Sequence, residues 1–355
     1  MKKRILKIIV IAGAIVLFMV GGLLIFFTVS EYKPDEIEKL PVANGSKSGV
    51  AVGQDITIVT CNIGYGALSQ NEDFFMDGGE KVRPDDEDLI YANLEGISDV
   101  LEEMSADFYL LQEVDCGSKR SYNIDQREYL ERALAMPGMF AYNFNSRYVP
   151  YPLPTIGKVE SGLLTLSDYT ASEAARIALP VPFSWPVSTC NLKRCLMITR
   201  IPVEGSEREL VLINLHLEAY DDGEGKTEQT RMLVEFIESE YEKGNYVVAG
   251  GDFNQTFERT LDIYPIHNTD GWTPGVLDSK ELPAGFGFAY DTAAPTCRLL
   301  NAPYTGNYVE SQVYVIDGYI VSPNVEVTAV EVEDMQFLYT DHQPVKLAVR
   351  LKSDQ

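Results

Sequence analysis

Residues 246–254 read Tyr-Val-Val-Ala-Gly-Gly-Asp-Phe-Asn. Tyr246–Ala249 is a short apolar run rich in β-formers, which predicts a buried strand. Gly250-Gly251 then lets the backbone turn sharply and approach a ligand closely. Asp252 and Asn254, two positions apart, can face one pocket: a carboxylate suited to activating water and an amide suited to holding an oxygen. An Asp-x-Asn turn would look the same in isolation, so the reading depends on what else the chain supplies.

Four further polar groups sit at the ends of predicted strands. Thr60-Cys61-Asn62 closes an apolar run, and Asn62 offers an amide and a carbonyl oxygen where the chain leaves the sheet. A turn residue capping its own backbone is the plainer alternative. Leu110-Leu111-Gln112-Glu113 puts a carboxylate directly after a run that should be buried, which is costly unless the charge is paired or binds a cation. In Asn214-Leu215-His216-Leu217-Glu218 the three polar side chains share one face of an alternating strand, and His216 is one of only three histidines. Finally, Asp317 interrupts the run Val313–Val321, and Asp341-His342-Gln343-Pro344 leads into the last strand. A His oriented by an Asp is a standard acid–base pair. The third histidine, His267, lies in a polar loop and is expected outside any such pocket.

Taken together and in this order, Gln112-Glu113, Asn214-x-His216, Gly251-Asp252-Phe253-Asn254, Asp317 and Asp341-His342 resemble the endonuclease/exonuclease/phosphatase family. That family includes deoxyribonucleases of the pancreatic type, apurinic endonucleases, sphingomyelinases and inositol polyphosphate 5-phosphatases. The resemblance spans roughly residues 55–350. It implies a four-layer α/β sandwich and hydrolysis of a phosphoester dependent on Mg²⁺ or Mn²⁺. It also implies roles. Glu113 is the main metal ligand, with Asn62 and Asp341 counted beside it. His216 holds the phosphate. Asp252 and Asn254 position water and a phosphoryl oxygen. His342 is the base or a transition-state contact, oriented by Asp317 or Asp341. Ser161, at a small-residue strand start, and Asn214 are counted as substrate contacts.

Composition narrows the substrate. The chain has 355 residues with 53 acidic and 29 basic side chains. Lys2, Lys3, Arg4 and Lys7 precede the first acidic residue, Glu31, so residues 31–355 carry a net charge of −28. Such a surface repels polyphosphate backbones, and nucleic acid is not an expected partner. A small or lipid-linked phosphoester, handled by a monomeric catalytic domain, is the expectation. A cell-surface nuclease and a non-catalytic binding domain on the same fold are the alternatives. Five cysteines, none in a C-x-x-C pair, argue against a structural zinc site; Cys190 and Cys195 could close a small loop in an oxidising compartment.

Ile8 to Val29 is uncharged over 22 residues. A bilayer core needs ~20 and a signal-peptide core only ~7–15, so a retained anchor is favoured over a cleaved leader. Basic residues before the run and acidic ones after it place the N-terminus in the cytoplasm and the remainder outside. The domain reading is therefore a basic tip and anchor at 1–30, a polar linker at 31–54, and one catalytic domain at 55–355.

Within that domain, β-strands are predicted at Ile56–Cys61, Phe108–Gln112, Gly162–Leu166, Leu196–Ile201, Glu209–Asn214, Tyr246–Ala249, Val313–Val321, Val325–Val332 and Val345–Arg350. Helices are predicted at Leu89–Met104, Gln126–Ala135 and Thr227–Glu242, the last with Glu235, Glu238 and Glu240 pointing away from the core. Many strands and few helices predict two mixed sheets packed face to face with helices outside. Two segments, Asp73–Asp88 and Tyr148–Pro154, are insertions that should rim the active-site face. The second reads more simply as a rigid packed loop than as a lipid or sugar contact.

Overall fold

A computed structural model describes residues 2–353 apart from 222 and 270; Met1, Asp222, Asp270, Asp354 and Gln355 lie outside the described residues, the last two being the end of the expected catalytic domain. The apolar N-terminal run forms α1 (Lys2–Ser30). There follow β1 (Ile37–Lys39), β2 (Asp55–Asn62), α2 (Glu87–Met104), β3 (Phe108–Asp115), α3 (Gln126–Ala133), β4 (Gly138–Val149), β5 (Gly157–Ser167) and β6 (Glu173–Ala178). Next come β7 (Cys195–Pro202), β8 (Glu209–His216), α4 (Glu224–Glu242), β9 (Tyr246–Asp252), β10 (Gln255–Phe257), β11 (Gly275–Leu277) and β12 (Gly287–Ala289). The chain ends with β13 (Cys297–Arg298), β14 (Val313–Tyr314), β15 (Asp317–Val321), β16 (Val325–Val332) and β17 (Val345–Leu351).

Two large sheets result, with strand orders β1-β6-β7-β8-β9-β15-β12 and β16-β17-β2-β3-β5-β4. Both are mixed: β2 with β3 and β8 with β9 run parallel, and their other neighbours antiparallel. Alternation along each strand sends one set of side chains inward, where Ile58, Leu110 and Leu163 of one sheet meet Met197, Leu212 and Val248 of the other. The opposite faces are covered by helices. Ile90, Leu94, Ile97 and Leu101 recur at helical spacing on α2 and bury against Val59, Cys61 and Leu111. Leu233 and Ile237 of α4 do the same against Val211, Ile213 and Val247. Each such side chain, taken fully out of water, contributes roughly 1.5–3 kcal/mol. Asp86 caps α2 by accepting from the Leu89 N–H at 2.9 Å, and Asp125 caps α3 from Glu128 at 3.0 Å. The helix–sheet–sheet–helix order is the four-layer sandwich anticipated above.

Four expectations need correction. Residues 31–54 are no free linker: β1 pairs with β6, Lys47 bridges to Tyr169, and Val50 bridges to Val203 while fully buried. Glu240 turns inward rather than away, because Arg200, Lys243 and Asn245 all donate to its carboxylate. Burial pushes that carboxyl upward, but these three donors outweigh it and hold it at about 2. Val313–Val321 is two strands, since Thr296 Oγ1 accepts the N–H groups of both Ile316 and Asp317 where a ladder partner would otherwise be. Cys190 and Cys195 are free thiols, as are Cys61, Cys116 and Cys297.

Candidate active site

Strand register assembles the centre of the site. In the first sheet His216 of β8 lies opposite Asp252 of β9, and Asp252 lies opposite Asp317 of β15. Three residues at one level of adjacent strands present their side chains on the same face. The path to Asp252 requires glycine. Gly251 has φ +151°, and a Cβ there would drive into the Leu215 carbonyl; at Gly250 one would meet the Tyr319 ring. His342, on the β16–β17 connection, closes the group from above. Its Nδ1 lies 2.8 Å from Asp317 Oδ2, and its Nε2 lies 3.7 Å from Asp252 Oδ2. His216 Nε2 approaches the same Asp252 oxygen at 3.3 Å.

Asp252 is held from several sides. Asn62 Nδ2 donates to Oδ2 at 3.0 Å, and the Asn254 backbone N–H donates to Oδ1 at 2.8 Å. The side-chain amide of Asn254 donates to the Leu217 carbonyl at 2.8 Å, so Asn254, at φ +49°, braces the carboxylate from below. Burial raises the Asp252 carboxyl to about 6, with the Asp317 charge adding to burial and His342 pulling it down. For His342, burial opposes the charged form, but Asp317 and the surrounding negative groups outweigh it and raise the imidazole well above its usual value. His216 goes the other way. Burial first, then the positive charges of Arg194, His342 and Arg120, push it well below. This environment favours the neutral imidazole, whose Nε2 faces Asp252; among the described residues its buried Nδ1 has no hydrogen-bond partner.

Glu113 reaches the same space from the other sheet. A one-residue bulge in β3 against β5, between Leu111 and Val114, puts Glu113 at φ +55° and turns it out of the ladder. Strained backbone of this kind costs ~1–3 kcal/mol and persists where the surroundings enforce it. Asp341 lies nearby, with Oδ2 at 4.0 Å from His342 Nε2. Burial, reinforced by the Glu113 charge and opposed by His342, raises the Asp341 carboxyl to about 7. Two carboxylates on one cavity wall, neither in an ion pair with a lysine or arginine among the described residues, suit a hard, oxygen-seeking ion. Asp252, Asp317 and His342 also offer ligand atoms within 4.8 Å of one another, but Asp317 is committed to His342 and does not reach the cavity. That leaves Asp252 and His342 as the two members of the trio that face the cavity.

The cavity that these groups line measures about 580 Å³. Asn62, Glu113, Ser161, His216, Asp252, Asn254, Asp341 and His342 all reach its wall; His267, as expected, does not. One assignment changes. Asn214 is no substrate contact: it lies fully buried between the sheets, accepting from Gln112 Nε2 at 2.8 Å and donating to the Leu111 and Leu164 carbonyls. Asn62 turns its oxygen to the Gly64 N–H and its NH₂ to Asp252 and Glu113, so in this structure it orients those two carboxylates. Arg120 was not foreseen. Its guanidinium pairs with Asp115, stacks 3.7 Å over the Tyr65 ring, and donates to Ser161 Oγ at 3.3 Å. Both insertions do rim the cavity, through Phe74–Asp77 and Val149–Tyr151.

Comparison with known proteins gives one consistent result. The Endonuclease/Exonuclease/phosphatase family model matches residues 87–339. An endonuclease/exonuclease/phosphatase structure from Beutenbergia cavernae is similar with a TM-score of 0.59 and 18% identity, covering 84% of this chain and 72% of that one. Another from Bacteroides vulgatus scores 0.51 at 16% identity over 84% and 100% of the two chains. TDP2 of D. rerio, complexed with a single-strand DNA product, scores 0.50 at 14% identity over 84% and 99%. No curated protein matches the chain.

Proposed function

Because the chain belongs to the endonuclease/exonuclease/phosphatase family, we propose that its cavity hydrolyses a phosphoester with a divalent cation, on an exported, monomeric catalytic domain that α1 holds to a membrane. Endonucleases, exonucleases and phosphatases all cleave phosphoester bonds, so the chain's family is one of hydrolases. The observation that carries the reading is the convergence of Asp252, His342 and Glu113, from three distant parts of the chain, on one cavity wall.

Asp252 is the best candidate to take the proton from water. Its carboxyl at about 6 lies near the working range expected of a general base, and Asn62, Asn254 and His216 fix its direction. His342, kept charged by Asp317, then serves as a cationic donor to the phosphoryl oxygens. Arg120 and Ser161 supply further donors on the opposite wall. Glu113 and Asp341 would hold Mg²⁺ or Mn²⁺, whose chemistry is to polarise a phosphoryl oxygen and offset charge.

The net charge of −28 over residues 31–355 argues against long polyanions, although one structural neighbour binds a DNA product. Among the described residues α1 is the one helix long and apolar enough to cross a membrane. Its leading basic residues support a cytoplasmic tip and a catalytic domain outside. The test is nitrophenol release from bis(p-nitrophenyl) phosphate by the full chain. Turnover should need Mg²⁺ or Mn²⁺ and stop on chelation. Metal-independent turnover would overturn the divalent-cation reading, and no turnover of any phosphoester would leave the binding-domain alternative standing.

A further inference from the structure

We propose that the last two turns of α1 form part of the substrate site, and that the substrate is a membrane amphiphile whose hydrocarbon chain lies along them while its single phosphoester meets Asp252. This rests on the phosphoesterase reading above and names the substrate class.

The helix is docked, not tethered. Phe27 is 7% exposed and stacks with Tyr148 at 6.5 Å and 6°. Trp185 Nε1 donates to Thr28 Oγ1 at 3.1 Å, and Lys193 donates to Glu31 at 2.8 Å just past the helix end. Leu24 and Phe27 thereby become cavity wall. Phe75, Tyr151, Phe183 and Val187 continue that wall, while polar side chains gather at the catalytic end. A cavity of about 580 Å³ is far more than one phosphate group fills, and its surplus is apolar.

The position of the mouth identifies the source. Ile25 and Phe26, beside the buried Phe27, are 67% and 41% exposed on the outer side of the same turn. On the reading of α1 as an anchor they face lipid. Tyr151, Trp185 and Val187 are each more than half exposed around this helix end, where a soluble surface would have polar groups. A chain passing from bilayer to cavity would stay in apolar surroundings throughout. Charge limits the head. Of the three arginines on the wall, Arg120 pairs with Asp115, Arg194 pairs with Glu218, and Arg298 donates to the Ser69, Glu72 and Ala302 carbonyls, which leaves little to balance more than one phosphate. In the reaction the P–O bond to the leaving group breaks as water oxygen bonds to phosphorus. One water proton goes to Asp252, the leaving oxygen keeps the electrons of the broken bond and takes a proton from solvent, and the hydrocarbon leaves with either the phosphate or the alcohol.

The experiment uses the full chain in lipid nanodiscs with Mg²⁺ and two esters, methyl p-nitrophenyl phosphate and octyl p-nitrophenyl phosphate. Each sheltered methylene is worth roughly three- to fourfold, so kcat/KM should favour the octyl ester by at least about tenfold. Partition into the bilayer alone would also favour it, so the ratio is compared in the Phe27→Ala/Phe183→Ala variant. There it should fall by about tenfold or more, with an unchanged circular dichroism spectrum and melting temperature reporting that the variant is folded. An unchanged ratio, or equal kcat/KM for both esters in the wild type, overturns the hydrocarbon assignment alone. If neither ester is hydrolysed, the phosphoesterase reading fails and this proposal falls with it.

Discussion

At the scale of residues, the site divides its labour by environment. Asp252, Asp341 and His342 all sit in dry surroundings, yet burial raises both carboxyls while Asp317 keeps the imidazole charged. Asp252→Asn and His342→Ala should each lower kcat by ~10²–10⁴-fold, the range for a positioned acid or base. Asp317→Asn separates the roles by pH. Asp317 raises the His342 pKa, so activity that needs the imidazolium fades as pH climbs through that raised value. Without the carboxylate the pKa falls, and the alkaline limb of kcat/KM should move to lower pH. The acid limb, set by Asp252, should stay near 6 or drop slightly, because a neighbouring negative charge has gone. An alkaline limb that does not move would remove His342 from its charged role. Sequence alone singled out nearly all these residues, since each interrupts a predicted strand or stands at the end of one. It could not tell that Asn214 points between the sheets while His216 points into the cavity, because both lie on one face of β8 and only the fit to the opposite sheet separates them.

Among the elements, those with strong periodicity were legible: β16 matches its expected bounds, and α2, α4 and β9 differ by two or three residues. β4 was not foreseen. Its inward positions include Asn143 and Ser146, so the apolar alternation that marks a strand is missing, and its place at a sheet edge comes from pairing with β5. β1 was read as linker for a similar reason: Glu38 and Lys39 look solvated, and pairing with β6 is a tertiary fact. The docking of α1 was equally hidden. Leu and Phe recur on every side of the helix, so no stripe marks the face that meets the domain. On orientation the sequence is more informative. Protease added to intact cells should remove the catalytic domain and leave the N-terminal tip protected. A domain that survives while surface proteins are digested would reverse the orientation.

For the molecule as a whole, the sandwich brings two sheets' strand ends to one rim, and the site lies across them. Asn62 and Glu113 come from one sheet, His216, Asp252 and Asp317 from the other, and His342 from the β16–β17 connection. Neither half would be a phosphoesterase alone. On the proposed function, metal dependence is the property that would need both halves in register, with Glu113 to hold the ion opposite the base. The most direct measurement is the Mg²⁺ concentration giving half-maximal hydrolysis of bis(p-nitrophenyl) phosphate, compared between wild type and Glu113→Gln. Loss of a carboxylate ligand should raise that concentration by at least about tenfold, as changes in a metal's immediate surroundings do. The same half-activating concentration in both proteins, with turnover intact, would contradict the account.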